Sequence, residues 1–268
     1  MVVAILGRRG TGKTTLMQAT SSIYAPRDHL VIVSPLNTLP NRMPDVKWYK
    51  VSIFNKPEVE RVFKELNESG KEPFILADEG DELTAGSAAG IAGGFQTPAV
   101  YDTLNYAREA GVGICITSRR PANIAKDMLA NANLVFVANT TDPGALDWYD
   151  SFMQDPIHPD RDYKSICRVL PAVDTDGYSV FMIWSPGRKL LGYGTVDMDR
   201  MELREWDPKE LRERLKNAPA ASSTDPKATP DMSGSDSATA PSGSAAGAAD
   251  ALSGTSPGVP IVKSISPK

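Results

Sequence analysis

The stretch VVAILGRRGTGKTTLMQATSS, residues 2–22, decides the fold. Its first five residues are an unbroken apolar run, which fits a strand buried on both faces. A Gly-rich turn follows, and then a helix from about residue 12 to residue 22. Gly7-Arg8-Arg9-Gly10-Thr11-Gly12-Lys13-Thr14 satisfies G-x-x-x-x-G-K-[ST], in the strand–loop–helix setting that gives the pattern its meaning. Glycines let successive backbone N–H groups converge on phosphate oxygens, and a helix N-terminus adds a favourable dipole. The segment therefore predicts a nucleotide cradle built from Gly7, Arg9, Gly10, Thr11, Gly12, Lys13, Thr14 and Thr15. Lys13 is expected to reach the β- and γ-phosphates and the Thr14 hydroxyl to ligate Mg²⁺. Thr15, the next helical residue, is expected to pack or cap.

A second block, Phe74-Ile75-Leu76-Ala77-Asp78-Glu79, places two carboxylates at the end of a buried strand. In P-loop NTPases an Asp in this setting holds the magnesium shell. A Glu beside it can orient and deprotonate water, which suits hydrolysis better than transfer to a small acceptor. Asp78 is accordingly assigned to the metal and Glu79 to general base. The bland alternative is a solvated acidic turn, since Asp81 and Glu82 follow closely. A third block, Gly113-Ile114-Cys115-Ile116-Thr117-Ser118-Arg119-Arg120-Pro121, ends a further strand in polar residues. Thr117 and Ser118 are candidates for sensing the γ-phosphate, although Thr also favours strands by its β-branching alone. Cys115 reads as core.

Working outward, apolar runs at 30–33, 46–53 and 134–138 add strands. Helical patterns cover 57–66, 100–110, 124–130 and 143–153, the last with Thr141 or Asp142 as its N-cap. Continuous apolar strands alternating with helices predict an α/β fold: a mostly parallel sheet flanked by helices. Runs at 166–170, 178–184 and 190–196, separated by turn signals, predict a short antiparallel extension. No Phe, Tyr or Trp occurs after Trp206, and Ala, Ser, Gly, Pro and Thr dominate beyond about residue 217. Such a segment cannot bury enough surface to offset its ordering entropy. The expected organisation is thus a P-loop ATPase domain over 1–216 and a disordered, low-complexity tail over 217–268, whose apolar end could dock on a partner.

Composition narrows the class. The chain has 268 residues, two cysteines, two histidines and a net charge of −4. Two cysteines make no disulfide framework, and two histidines make no metal-ligand cluster. No apolar run approaches the ~20 residues that a spanning helix needs, and the first residues read as a strand rather than a secretory leader. A cytoplasmic location is expected. The acidic balance argues against a protein that coats nucleic acid, but not against one that grips it at a few points.

GRRGTGKTT at 7–15, FILADEGDEL at 74–83 and NYAREAGVGICITSRRPANI at 105–124 together resemble the FtsK–HerA superfamily of ring ATPases. That superfamily includes the genome-packaging ATPases of tailless, membrane-containing viruses. NANLVFV at 131–137 fits its next strand, so the likeness spans roughly residues 1–140. One position departs: the family's polar sensor at the third strand tip is usually Gln, and Arg119 stands there. Ser118 could substitute, or Arg119 could itself face the γ-phosphate. The resemblance also implies an arginine that completes a neighbouring subunit's site, with Arg108 the first candidate and Arg119 or Arg120 next.

The function so implied is an ATP-driven translocase of double-stranded DNA, most plausibly a viral packaging motor subunit. It would use ATP and Mg²⁺ and work as a homo-oligomeric ring, with six subunits expected. A capsid or vertex protein is a candidate partner for the tail, in host cytoplasm and in association with the virion. The uncharged loop 84–98 could line the pore through backbone groups and Gln96. Arg161, Lys164, Arg168, Arg188 and Lys189 could supply positive charge. Two other classes remain open on the residues: a P-loop kinase of a nucleotide or small molecule, and a non-hydrolysing, nucleotide-gated assembly factor.

Overall fold

The computed structural model describes residues 1–52, 55–80, 83, 97–106, 109, 111–119, 124, 126–153, 162–187, 189–197, 200 and 202–217. The nine strands are β1 (Val2–Leu6), β2 (Leu30–Val33), β3 (Lys47–Tyr49), β4 (Phe74–Ala77), β5 (Gly113–Ser118), β6 (Leu134–Ala138), β7 (Val180–Ser185), β8 (Lys189–Asp197) and β9 (Glu202–Glu205). They form one sheet in the order β3-β2-β4-β5-β1-β6-β7-β8-β9. Pairing is parallel from β3 through β6 and antiparallel from β6 to β9. The mostly parallel sheet with an antiparallel extension is as expected.

Helices cover both faces, and the period of two along each strand divides the core accordingly. Val2, Ala4 and Leu6 of β1 point to one apolar layer, Val3 and Ile5 to the other. The second layer is closed by α1 (Lys13–Tyr24) through Leu16 and Met17, and by α2 (Thr38–Arg42) through Leu39. The first is closed by α3 (Lys56–Glu68), α4 (Pro98–Asn105), α5 (Lys126–Ala130), α6 (Pro143–Phe152), α7 (Tyr163–Val169) and α8 (Lys209–Asn217). In α3, Val59, Val62, Phe63 and Leu66 recur at helical spacing and are buried, each worth roughly 1.5–3 kcal/mol. Asp142 caps α6, its side chain accepting from the Gly144 N–H.

Three expectations need correction. Residues 166–169 belong to a helix rather than a strand, and Leu170 is its C-cap. Tyr163, Ile166, Cys167 and Leu170 are buried at i, i+3, i+4 and i+7, and the Asp162 side chain caps the first turn by accepting from the Ser165 N–H. The strand expected over 46–53 shrinks to Lys47–Tyr49 at the sheet edge. Finally, β9 and α8 extend the domain with elements too polar to stand out by hydrophobic pattern. No described helix is long and apolar enough to cross a membrane. The tail expected over 217–268, apart from Asn217, which ends α8, lies outside the described residues, as do the loop 84–96, Arg108, Arg120, Arg161, Arg188 and the Lys189 side chain.

Candidate nucleotide site

Open parallel sheets present ligands with a crevice at the carboxyl ends of their strands, and the three sequence blocks meet there. β5 lies between β1 and β4, in register with both. The tip carrying Thr117, Ser118 and Arg119 therefore sits between the Gly-rich loop that leaves β1 and the acidic pair that leaves β4. The Gly7 N–H donates to the Ser118 carbonyl at 3.1 Å, tying the start of the loop to the β5 tip.

Two left-handed glycines, Gly10 (φ 82°) and Gly12 (φ 76°), shape the loop. Gly12 is also the N-cap of α1, and it makes no side-chain cap. The first N–H groups of the helix thus face the loop concavity, where an anion can take them up. Within the loop the Arg8 carbonyl accepts from Thr11 Oγ1 at 2.9 Å and from Lys13 Nζ at 3.0 Å. Lys13 is buried at 8% exposure, unusual for a lysine, while Arg8 and Arg9 lie exposed.

The acidic pair is held by hydroxyls. Asp78, only 5% exposed, accepts from Thr14 Oγ1 at 3.3 and 3.1 Å and from Thr117 Oγ1 at 2.7 Å. Thr117 Oγ1 in turn accepts the Glu79 N–H at 2.7 Å. Glu79 adopts a left-handed backbone, φ 58°, which costs a non-glycine residue roughly 1–3 kcal/mol and is met mostly where function requires it. Its carboxylate forms an ion pair with Arg119 of the β5 tip.

A hydroxyl and a carboxylate oxygen side by side are the hard oxygen donors that Mg²⁺ prefers, and such a site relies on phosphate oxygens and water for the remaining ligands. Thr14 and Asp78 thus fit that ion. Among the described residues there is no cluster of three or more His, Cys, Asp or Glu that would suit another metal.

Other assigned residues are placed as follows. Ser118 is fully buried at the β5 tip. The Thr15 hydroxyl is turned to α2, accepting from Arg42 Nη1 at 2.9 Å. Lys164 pairs with Asp147 at 2.5 Å, and Arg168 is exposed on α7. Cys115 and Cys167 are buried free thiols, and burial pushes both well above the usual thiol range. Sequence reasoning missed Ser179, just before β7: a Cβ placed on Gly12 would come within 2.5 Å of its Oγ. It also missed Arg42. Neither belongs to a motif, and only the chain's return past the loop brings them near it.

No protein-family model matches the chain, and no curated protein does. Solved structures do. The genome-packaging NTPase B204 from Sulfolobus turreted icosahedral virus 2, in complex with sulfate, superposes with a TM-score of 0.57 at 16% identity, covering 72% of this chain and 94% of that one. The same protein in complex with ATP-gammaS gives 0.55 at 16% identity, over 72% and 95%. B204, the DNA-packaging ATPase from Sulfolobus turreted icosahedral virus, gives 0.55 at 16% identity, over 72% and 95%. At such identity the likeness speaks for the fold. The chain therefore shares its fold, a mostly parallel sheet flanked by helices and opened by a Gly-rich phosphate-type loop, with these viral genome-packaging NTPases.

Proposed function

We propose that this chain is a Mg²⁺-dependent ATPase that moves double-stranded DNA as the subunit of a ring-forming packaging motor. The observation that carries the reading is the hydrogen-bonded row Thr14–Asp78–Thr117–Glu79, set across adjacent strand tips beside a Gly-rich helix N-terminus. The fold shared with packaging NTPases adds to it.

In this reading the N–H groups at the start of α1 and the Lys13 ammonium take up the phosphates of ATP. Thr14 and Asp78 would hold Mg²⁺, which would supply charge neutralisation to the phosphates. Glu79 accepts a proton from the attacking water as its oxygen bonds to the γ-phosphorus. The bond from that phosphorus to the β–γ bridging oxygen breaks, leaving ADP and phosphate. An arginine from a neighbouring subunit stabilises the developing charge. Arg108 and Arg120 are the better candidates, since Arg119 is engaged by Glu79 of its own chain. The low-complexity segment after α8 serves to connect the subunit to a capsid or vertex protein.

The reading is tested by measuring ATP hydrolysis with and without duplex DNA while recording oligomer mass in the presence of ATP. Turnover that rises with DNA and with assembly supports it. Turnover indifferent to DNA but dependent on a small phosphoryl acceptor points to a kinase. Binding without turnover points to a nucleotide-gated assembly factor.

A further inference from the structure

Arg119 leaves the β5 tip one residue beyond the carbonyl that accepts the Gly7 N–H, so its backbone adjoins the first residue of the phosphate loop. Its guanidinium nevertheless points the other way, onto Glu79. The geometry of Glu79 fits that partnership. Thr117, two residues before Arg119 on the same strand, takes the Glu79 N–H and fixes the left-handed backbone that turns the Glu79 side chain to the β5 tip. One strand end thus both aims the carboxylate and supplies the cation that occupies it. With Oε1 accepting from the guanidinium, the Glu79 carboxylate is held against the β5 tip rather than left to turn to a water at the phosphate loop.

The pair is half open to solvent, with side-chain exposures of 45% for Arg119 and 32% for Glu79. Ion pairs in that setting are weak and readily exchanged. A γ-phosphate seated in the adjoining loop would carry more charge than a carboxylate. Its terminal oxygens suit the planar, forked donors of a guanidinium. We infer that Arg119 is a nucleotide-sensing latch: it holds Glu79 in the resting site and passes to the γ-phosphate when ATP arrives, freeing Glu79 to face water. ADP offers no γ-phosphate, so with ADP the ion pair stays closed. A glutamine, which the family resemblance leads one to expect here, could bond a phosphate but has no charge with which to hold Glu79. The inference rests on the nucleotide-site reading given above and adds a positioning role for this one side chain.

The test compares crystal structures of the full chain with Mg²⁺ and either ADP or a non-hydrolysable ATP analogue, together with calorimetric affinities for both ligands in wild type and Arg119→Gln. The expected result is an intact Arg119–Glu79 pair with ADP and a broken one with the analogue, the guanidinium then lying on γ-phosphate oxygens. Arg119→Gln should bind ADP within about twofold of wild type and the analogue at least about tenfold more weakly, the usual loss for a charged hydrogen bond. A pair that persists with the γ-phosphate in place overturns the inference, as does a variant that loses both ligands equally. In either case a chain whose turnover still depends on Glu79 keeps the ATPase reading. A chain that binds neither nucleotide overturns both.

Discussion

Thr117 donates its hydroxyl proton to Asp78 Oδ1 at 2.7 Å, joining the tip of β5 to the tip of β4. Thr117 Oγ1 itself accepts from the Glu79 N–H at 2.7 Å, so one hydroxyl organises both acids of the candidate site. Thr117, a sensor candidate by its place at the strand tip, thus also links the two acids.

Replacing Thr117 by Val keeps the shape and removes both bonds. With Asp78 almost wholly buried, the loss of a donor should lower unfolding free energy by about 1–3 kcal/mol. Turnover should fall further than nucleotide affinity, because Glu79 loses its anchor while the phosphate loop is untouched. Thr117→Ser should recover most of both. Chemical denaturation and steady-state kinetics on the two variants decide it.

The two left-handed glycines of the loop should differ in their tolerance of alanine. Nothing lies within 4 Å of a Cβ on Gly10, so Gly10→Ala carries backbone strain alone, roughly 1–2 kcal/mol. At Gly12 the new methyl would also meet Ser179 at 2.5 Å from Oγ and 3.0 Å from Cβ. Gly12→Ala should therefore be the more damaging, and a second change, Ser179→Gly, should restore part of the lost stability. Melting temperatures of the three variants and wild type measure the effect.

Lys13→Ala removes the ammonium beside the phosphate loop. Nucleotide affinity should drop by about one to two orders of magnitude, in line with a charged hydrogen bond. Isothermal titration with Mg²⁺ and ATP reads it. Circular dichroism on the same variant checks that the fold is kept.

Both thiols should resist modification in the native chain. The thiolate is the reactive form, and burial disfavours it at Cys115 and Cys167 alike. Since both pKa values are raised, the thiols stay protonated through neutral and mildly alkaline pH. Labelling by a thiol reagent should then follow unfolding, with fast reaction only in denaturant.

The nucleotide loop and the acid-bearing strand were legible because their chemistry is local. A Gly-rich pattern between a strand and a helix specifies its own geometry, and Asp78 and Glu79 end an apolar run in plain view. What joins them was not legible. Thr117 and Arg119 lie about forty positions along the chain from the acids they hold, and only the insertion of β5 between β1 and β4 brings them together. The misread segment at 166–170 failed for a different reason. Five residues of apolar texture cannot distinguish strand from helix, and the deciding partner, Tyr163, lay upstream. Elements such as α8, whose sequence KELRERLKN is mostly charged, offer the core only Leu211 and the half-buried Leu215, too few apolar residues to mark a helix in a short polar stretch.

The central claim is that Glu79 activates the water that attacks ATP, and one comparison tests it most directly. Wild type and Glu79→Gln are assayed for ATP hydrolysis with Mg²⁺, and ATP binding is measured on the same preparations. The account predicts retained binding with turnover reduced by about a hundredfold or more, the usual loss when a general base is removed. A Glu79→Gln chain that binds ATP and hydrolyses it at the wild-type rate would contradict it.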